Sequence, residues 1–539
     1  MVTTSLTEPS VWNISAKFYL WRLKLENLSR TESSGEKLRK CLEKVFSEGY
    51  QLQAEALSFL KLIEDKVDVE KILDKVFEKL KTQPQPTIFI SKGLIEECVN
   101  ELEEENRRIV EKVRYLEVSK EVYHPPAKDV EAKIEVLKDP SKNISSGESL
   151  SDFLSYFRDR FKRLTKILSE RLDVKGSLPI EDALKKSGRV KVIGLISEKI
   201  VTSRRIVFRV EDLEKTATII VQPENPEVFQ VATELLLDQV VCVSGFRGGG
   251  DTIFAEEILL PDIPYHKPRY SWEDVNVVFT SDIHVGSIAF EEKLFRRFVD
   301  WLKGRIGEGK SREIAGKVKY VVVAGDVVDG VGQYPRQEDE LEIKDVYKQY
   351  KVAAKLFEEI PDYIEVIIIP GNHDAVRRTL PQPAILKNFA EPLYDVPNIL
   401  MLGNPSYIRL HGVELLLHHG RSLEDVLSSL PNVNHQNVTK AMSQLLKVRH
   451  LAPVYGHKTP IAPEPIDWMV VDRIPDIYHT GHIHVFDHST YRGVLLINSG
   501  CWQRQTSYQK KMGVTPTYGV TSIVNLKTLN LSIVDFRSF

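Results

Sequence analysis

The sequence predicts a multidomain α/β protein: a helical N-terminal module, a small β-barrel and a C-terminal α/β sandwich. Three observations predict it. At 539 residues the chain is too long for one hydrophobic core. Short strand-like runs fill residues 190–264, and from residue 275 onward such runs alternate with helical ones. In that last region five polar clusters stand at the ends of apolar strands, where α/β folds carry their sites.

Composition narrows the class. Hydrophobic residues make up 42% and charged residues 28%, ordinary for a soluble globular protein. A net charge of -3 provides no global basic field, so nucleic acid would be held through local patches, metals or a partner's charge. Cys41, Cys98, Cys242 and Cys501 form no CxxC pair, which argues against a disulfide framework or a zinc ribbon and for a reducing compartment. Met1 to Trp12 lacks the pattern of a signal peptide, and no window approaches the ~20 apolar residues of a membrane span. A cytoplasmic protein with no membrane contact is expected.

In chain order, residues 1–124 read as a helical domain. Leu57, Leu60, Ile72, Leu73, Val76 and Leu80 recur at near-helical spacing, and Ser91 stands as an N-cap. A helical docking or regulatory module is the expectation. Residues 125–150, from Pro125-Pro126 through Ser145-Ser146-Gly147, read as a flexible linker. Residues 151–186 read as an amphipathic helical connector. Its apolar positions are Phe153, Leu154, Phe157, Phe161, Leu164, Ile167, Leu168 and Leu172, and its other face is basic, with Arg158, Arg160, Lys162, Arg163 and Lys166. A basic face is usually just solvated; DNA contact is the sharper alternative.

Within 187–266, strand-like runs at Val190–Ile196, Ile206–Val210, Ala217–Val221, Val240–Phe246 and Ile253–Ala255 have one helical segment between the third and fourth. That is the order of an OB-fold. Arg204, Arg205, Phe208 and Phe246 could stack and neutralise a single strand, or the aromatics could fill the barrel core.

Residues 272–539 hold the candidate chemistry. Asp282-Ile283-His284, Gly325-Asp326, Gly371-Asn372-His373-Asp374, His418-His419-Gly420 and Gly481-His482-Ile483-His484 each follow an apolar run. In extended backbone, residues two apart point the same way, so each of the pairs Asp282/His284 and His482/His484 converges on one place. Imidazole, carboxylate and amide donors without thiolate suit manganese, iron or zinc in a catalytic site. Seven such donors exceed what one ion needs. Two ions sharing a carboxylate, ~3.5–4 Å apart, suit phosphate-ester hydrolysis. Arg377 and Arg421 each sit just past one of these loops and are candidates for DNA phosphate contact.

The order DxH, GD, GNHD, a later His and GHxH resembles the calcineurin-like metallophosphoesterases. The resemblance implies that Asp282, His284 and His484 hold one metal, that Asn372, His419 and His482 hold the other, and that Asp326 bridges them. His373 would be the uncoordinated acid and Asp374 would orient it. His419 is preferred to His418 for its place directly before Gly420. Further stretches narrow the likeness: Pro381-Gln382-Pro383, His419-Gly420-Arg421-Ser422, Tyr455-Gly456-His457-Lys458-Thr459-Pro460, His479-Thr480-Gly481-His482-Ile483-His484 and Ile497-Asn498-Ser499-Gly500. From about Phe157 to Lys527 the chain resembles the small subunit of archaeal family D DNA polymerase. That resemblance implies a 3'-to-5' exonuclease with two divalent ions, manganese before magnesium, iron or zinc. It also implies DNA, a large catalytic subunit and, through the holoenzyme, a sliding clamp as partners. Two rival readings are a non-catalytic scaffold subunit and a general metal-dependent phosphodiesterase.

Overall fold

The structure, a computed structural model, describes residues 35–63, 68–82, 87–101, 124–145, 147, 149–202 and 204–539. The expected helical character of residues 102–120 and the reading of Met1 to Trp12 lie outside the described residues. The chain divides into two units, Met1–Tyr123 and His124–Phe539.

In the first unit four helices, α1 (Gly35–Ser47), α2 (Ala54–Ile63), α3 (Val69–Thr82) and α4 (Lys92–Asn100), pack around Val45, Phe59, Leu60, Ile72, Val76 and Ile95. Two-residue strands β1 (Gln51–Leu52) and β2 (Phe89–Ile90) pair in parallel. In α3 the buried residues recur at three- and four-residue steps, so one apolar face holds the helix in place. Ser91 caps α4, its Oγ accepting from the Leu94 amide at 3.3 Å.

The second unit corrects the expected linker. Within 125–150, β3 (Ile134–Lys138) pairs antiparallel with Ser406–Leu410, and Glu464 accepts from the Ser145 amide at 2.7 Å. Ile134 packs into one core cluster and Leu137 into another. This period-two pattern outweighs the flanking proline and serine composition. Helix α5 (Leu150–Ser169) follows, opened by a Ser149/Asp152 capping box.

The basic face expected on α5 is not a free surface. The buried stripe is Tyr156, Arg160, Leu164 and Leu168, at steps of four, whereas Leu154 and Leu172 lie exposed. Arg160 is fully buried. It donates to Asp467 Oδ2 at 2.8 Å, the Pro453 carbonyl at 2.8 Å and Tyr156 Oη at 3.2 Å. Arg163 donates to the Asp467 carbonyl at 2.7 Å and pairs with Asp472. His450 Nε2 completes the network 2.8 Å from Asp467 Oδ2. Burial, reinforced by Arg160, pushes the His450 imidazole down to about 4. The unfolded chain binds a proton here near pH 6.5 and the folded chain does not until about 4, so stability is lost as pH falls through that window. Relative to His450→Gln, the wild type is expected to lose about 3 kcal/mol between pH 6.5 and 4, with a constant difference above pH 7. Urea denaturation across that range measures it, and a pH-independent difference would contradict it.

After α6 (Ile180–Lys185), five strands close a barrel in the order β4-β5-β6-β8-β7: β4 (Arg189–Val201), β5 (Ile206–Glu211), β6 (Thr216–Val221), β7 (Val240–Arg247) and β8 (Thr252–Leu259). Helix α7 (Pro226–Thr233) lies between β6 and β7, where the sequence predicts a helix. Phe208 is 1% exposed in the barrel core, so it is unavailable for stacking. Phe246 is half-exposed, with the Arg189 guanidinium 5.6 Å from its ring centre.

The rest forms two six-stranded sheets. One runs β12-β11-β10-β9-β18-β19, built from β9 (Asn276–Thr280), β10 (Val318–Ala324), β11 (Glu365–Ile369), β12 (Ile399–Met401), β18 (Val520–Asn525) and β19 (Leu531–Asp535). The other runs β16-β17-β15-β14-β13-β3, with β13 (Ser406–Leu410), β14 (Val413–Leu417), β15 (Ile477–Thr480), β16 (Asp487–Tyr491) and β17 (Val494–Asn498). Alternate residues divide the strands between layers. Val277, Phe279, Val322, Ile367, Leu415 and Ile477 share one core cluster. Val278, Val321 and Ile368 turn to α8 (Glu292–Leu302) and α9 (Val346–Glu358). Leu416, Tyr478 and Leu496 turn to α10 (Leu423–Ser429) and α11 (Val438–Lys447). Burial on both faces is why these strands read as unbroken apolar runs.

Candidate metal centre

Strands β9, β10 and β11 run parallel, as do β14 and β15, and every cluster lies at a C-terminal strand end. All seven expected ligands come together. Asp282, His284 and His484 form one group; Asp326, His419 and His482 form another; His284, Asp326 and His373 overlap both. Within each group one donor atom per residue lies within 4.8 Å of the others. Asn372 joins through Oδ1, 3.0 Å from His419 Nε2. His418 does not face the cluster: its ring is buried between Asn404 Oδ1 at 2.9 Å and Ser422 Oγ at 3.1 Å.

The convergence has a different cause from the one expected. The i,i+2 pairs do not lie in extended backbone. Asp282, His284, Asp326, His482 and His484 all have left-handed φ, between 52° and 69°, just past their strands. They are five of the twelve non-glycine residues in that region among the described residues. Each such residue costs about 1–3 kcal/mol, so strain is concentrated where the donors must turn inward. Gly371 serves by its lack of a side chain: a Cβ there would stand 2.0 Å from Asp326 Oδ1. The loops interlock through backbone as well. The His373 amide donates to Asp326 Oδ1 at 2.7 Å, and the His482 amide to Asp282 Oδ2 at 2.9 Å.

The electrostatics fit a cation. Burial raises the Asp282 carboxyl, but the nearby His484 imidazole outweighs it and holds the group down at about 2. Burial opposes charge on His419, yet Asp326 raises that imidazole to about 9. The buried carboxylates thus hold protons on their histidine neighbours, and a metal ion can take those protons' place. Asp282 Oδ1 is buried and accepts no hydrogen bond. An orphaned carboxylate oxygen amid imidazoles is a fitting donor for a divalent ion.

His373 and Asp374 divide differently from the expectation. His373 Nδ1 donates to the Asp329 carbonyl at 2.8 Å, leaving Nε2 for the cavity. Asp374 does not orient that ring. Its carboxylate accepts from the amides of Gly371, Val327 and Val328 and from Tyr350 Oη, tying the loop after β11 to the loop after β10. Burial, then Asp326, raises Asp374 to about 7. Arg377 is likewise engaged in the fold: it donates to the Pro381 carbonyl at 2.6 Å and pairs at 2.6 Å with fully buried Glu464. Arg421 does line the cavity over the cluster, beside Arg378. That cavity measures about 620 Å³.

Three positioning residues escape the sequence reading. Asp329 Oδ1 lies 2.8 Å from His284 Nδ1, Gln509 Nε2 lies 2.8 Å from His484 Nδ1, and Glu424 Oε1 lies 3.3 Å from His482 Nε2. Each fixes the ring whose other nitrogen faces the centre. Glu424→Gln is expected to weaken ion binding at the His482 side by ~10–100-fold while leaving the His484 side intact. Titration calorimetry with Mn(II) would show one step shifted and one unchanged; two unchanged steps would contradict it.

The sandwich and its candidate metal centre carry a module of the replicative polymerase B-subunits: the family model for the alpha/epsilon DNA polymerase B-subunit matches residues 277–488. Among full-length relatives, the DNA polymerase II small subunit of Archaeoglobus fulgidus is 42% identical over 390 residues, covering 72% of this chain and 78% of that protein. The corresponding small subunits of Pyrococcus horikoshii and Methanocaldococcus jannaschii are each 40% identical, covering 76% and 74% of this chain and 68% of either relative. The chain belongs to the archaeal DNA polymerase II small-subunit family.

Proposed function

We propose that this chain is the proofreading 3'-to-5' exonuclease subunit of a heterodimeric DNA polymerase, a two-metal phosphodiesterase acting on single-stranded or mismatched ends. The observation that carries the reading is the overlapping donor groups around the buried, unpartnered Asp282 Oδ1. A scaffold subunit has no use for a complete donor set held in strained backbone. The relatives' name, a small subunit, supports a large catalytic partner. DNA is the substrate, and a sliding clamp is reached through the holoenzyme. We read the barrel as an OB-fold and the sandwich as a calcineurin-like phosphoesterase.

In this reading Asp282, His284 and His484 hold one ion, Asn372, His419 and His482 the other, and Asp326 both. Two divalent ions, manganese first, would supply charge to the transition state and activate water. The protein's own part is positional and protonic. His373 keeps its Nδ1 proton on the Asp329 carbonyl and delivers the Nε2 proton to the departing 3' oxygen. Asp374 holds the loops that carry it. Arg421, beside Arg378, neutralises the DNA phosphates at the cavity wall.

The test is end-labelled single-stranded and 3'-mismatched DNA incubated with the full chain and Mn(II), alone and with the large subunit. Stepwise release from the 3' end is expected. Release from the 5' end, or no metal-dependent release in either setting, would overturn the reading.

A further inference from the structure

The cavity over the cluster has a side that metal chemistry does not use. Opposite in character to Arg378, Arg421 and Lys458, its lining includes Leu427 and Val433 after α10 and Tyr508, Met512 and Val514 near the C-terminus. Tyr508 and Met512 are 55% and 50% exposed, large apolar groups left in water at the mouth of a polar site. They sit on and just after α12 (Ser507–Lys511), a single-turn helix.

This helix is fastened to the metal centre. Thr506 and Gln509 form a capping box: the Gln509 amide donates to Thr506 Oγ1 at 3.3 Å, and Gln509 Oε1 accepts from the Thr506 amide at 3.1 Å. The remaining Gln509 group, Nε2, reaches His484 Nδ1 at 2.8 Å. The Gln505 side chain ties the segment's far end to the Val514 carbonyl at 2.7 Å. The residue that orients a candidate ligand is thus the chain neighbour of the exposed tyrosine, so the aromatic face stands at a set height above the cluster.

We propose that Tyr508, with Met512 beside it, is a stacking platform for the base of the 3'-terminal nucleotide and makes an unpaired terminal base the condition for cleavage. This rests on the exonuclease reading and adds what selects the substrate. A nucleotide whose phosphate lies against the cluster extends its base away from the charged lining, and the apolar segment is what remains to receive it. A ring face accepts any base, so the selection is for an unstacked, unpaired end and not for sequence. A paired terminus must first be opened, at a cost that is least at a mismatch.

The experiment uses the full chain with Mn(II), comparing wild type with Tyr508→Ala, Tyr508→Phe and Tyr508→Trp. Substrates are a single-stranded oligonucleotide and the same strand ending in an abasic nucleotide. Tyr508→Ala is expected to raise KM for the ordinary strand ~5–100-fold, with kcat changed less and Phe or Trp restoring it. On the abasic end the wild type should fall to the level of Tyr508→Ala, and the variant should lose nothing further. If the wild type cleaves both ends with equal KM, or Tyr508→Ala matches it on both, the platform is overturned. A second readout does not depend on cleavage. A 3'-terminal 2-aminopurine, with Ca(II) replacing Mn(II), should be quenched by wild type and Tyr508→Phe and not by Tyr508→Ala. Quenching without cleavage would keep the platform and reject the nuclease; equal fluorescence with wild type and Tyr508→Ala would reject the platform whatever the cleavage.

Discussion

His373→Ala is expected to keep its metal content and lose about 10²–10⁴-fold in DNA cleavage, the usual contribution of a positioned proton donor. The geometry separates two roles the sequence leaves merged. His373 is in contact distance of the cluster, grouped with His284 and Asp326, and its ring meets that of His284 edge-on at 4.7 Å. Its Nδ1 is already committed to the Asp329 carbonyl, which fixes the tautomer and aims Nε2. A proton donor in that place matters to the rate and little to ion affinity. Metal content by mass spectrometry and single-turnover cleavage at saturating Mn(II) decide it. Metal loss in proportion to activity would make His373 a ligand.

Asp467→Ala is expected to destabilise the fold by about 3–5 kcal/mol, because it strands Arg160 as a buried, uncompensated charge. Asp467 Oδ2 accepts from both Arg160 and His450, and Oδ1 accepts from the Met469 amide at 2.9 Å. With both partners fully buried, solvent cannot replace the lost contacts. The double change Arg160→Met with Asp467→Leu should recover most of the loss, since a well-packed apolar pair can stand in for a buried ion pair. Urea midpoints of the single and double variants measure both effects. A single-variant loss under about 1 kcal/mol would show that the pair is solvated.

The donors were legible in the sequence because each stands directly after a run of residues buried on both faces, such as Val321 to Ala324 before Asp326. The edge strand β3 was not: with an intermediate or exposed side chain at each position, its five residues lack that density. Arg160 was misread because charge predicts exposure, and the carboxylate that overrides this lies 307 residues away. Asp329 and Gln509 were invisible for a related reason. Their partners are 45 and 25 residues distant, and only the fold brings them into register. The spacing of His482 and His484 pointed to convergence correctly, but by extended geometry, when the backbone is left-handed at both.

The donor groups draw on both sheets: Asp282, His284 and Asp326 from one, His419, His482 and His484 from the other. An ion bound there is therefore a cross-link between chain segments as much as a reagent. His284 and His484 are 200 residues apart, so joining them closes a very long loop in the chain. Metal concentration then becomes a term in folding stability, growing as the logarithm of occupancy. A chelator would loosen the seam between the two sheets as well as stop cleavage, and a variant weakened far from the centre would look healthier in manganese-rich buffer than it is.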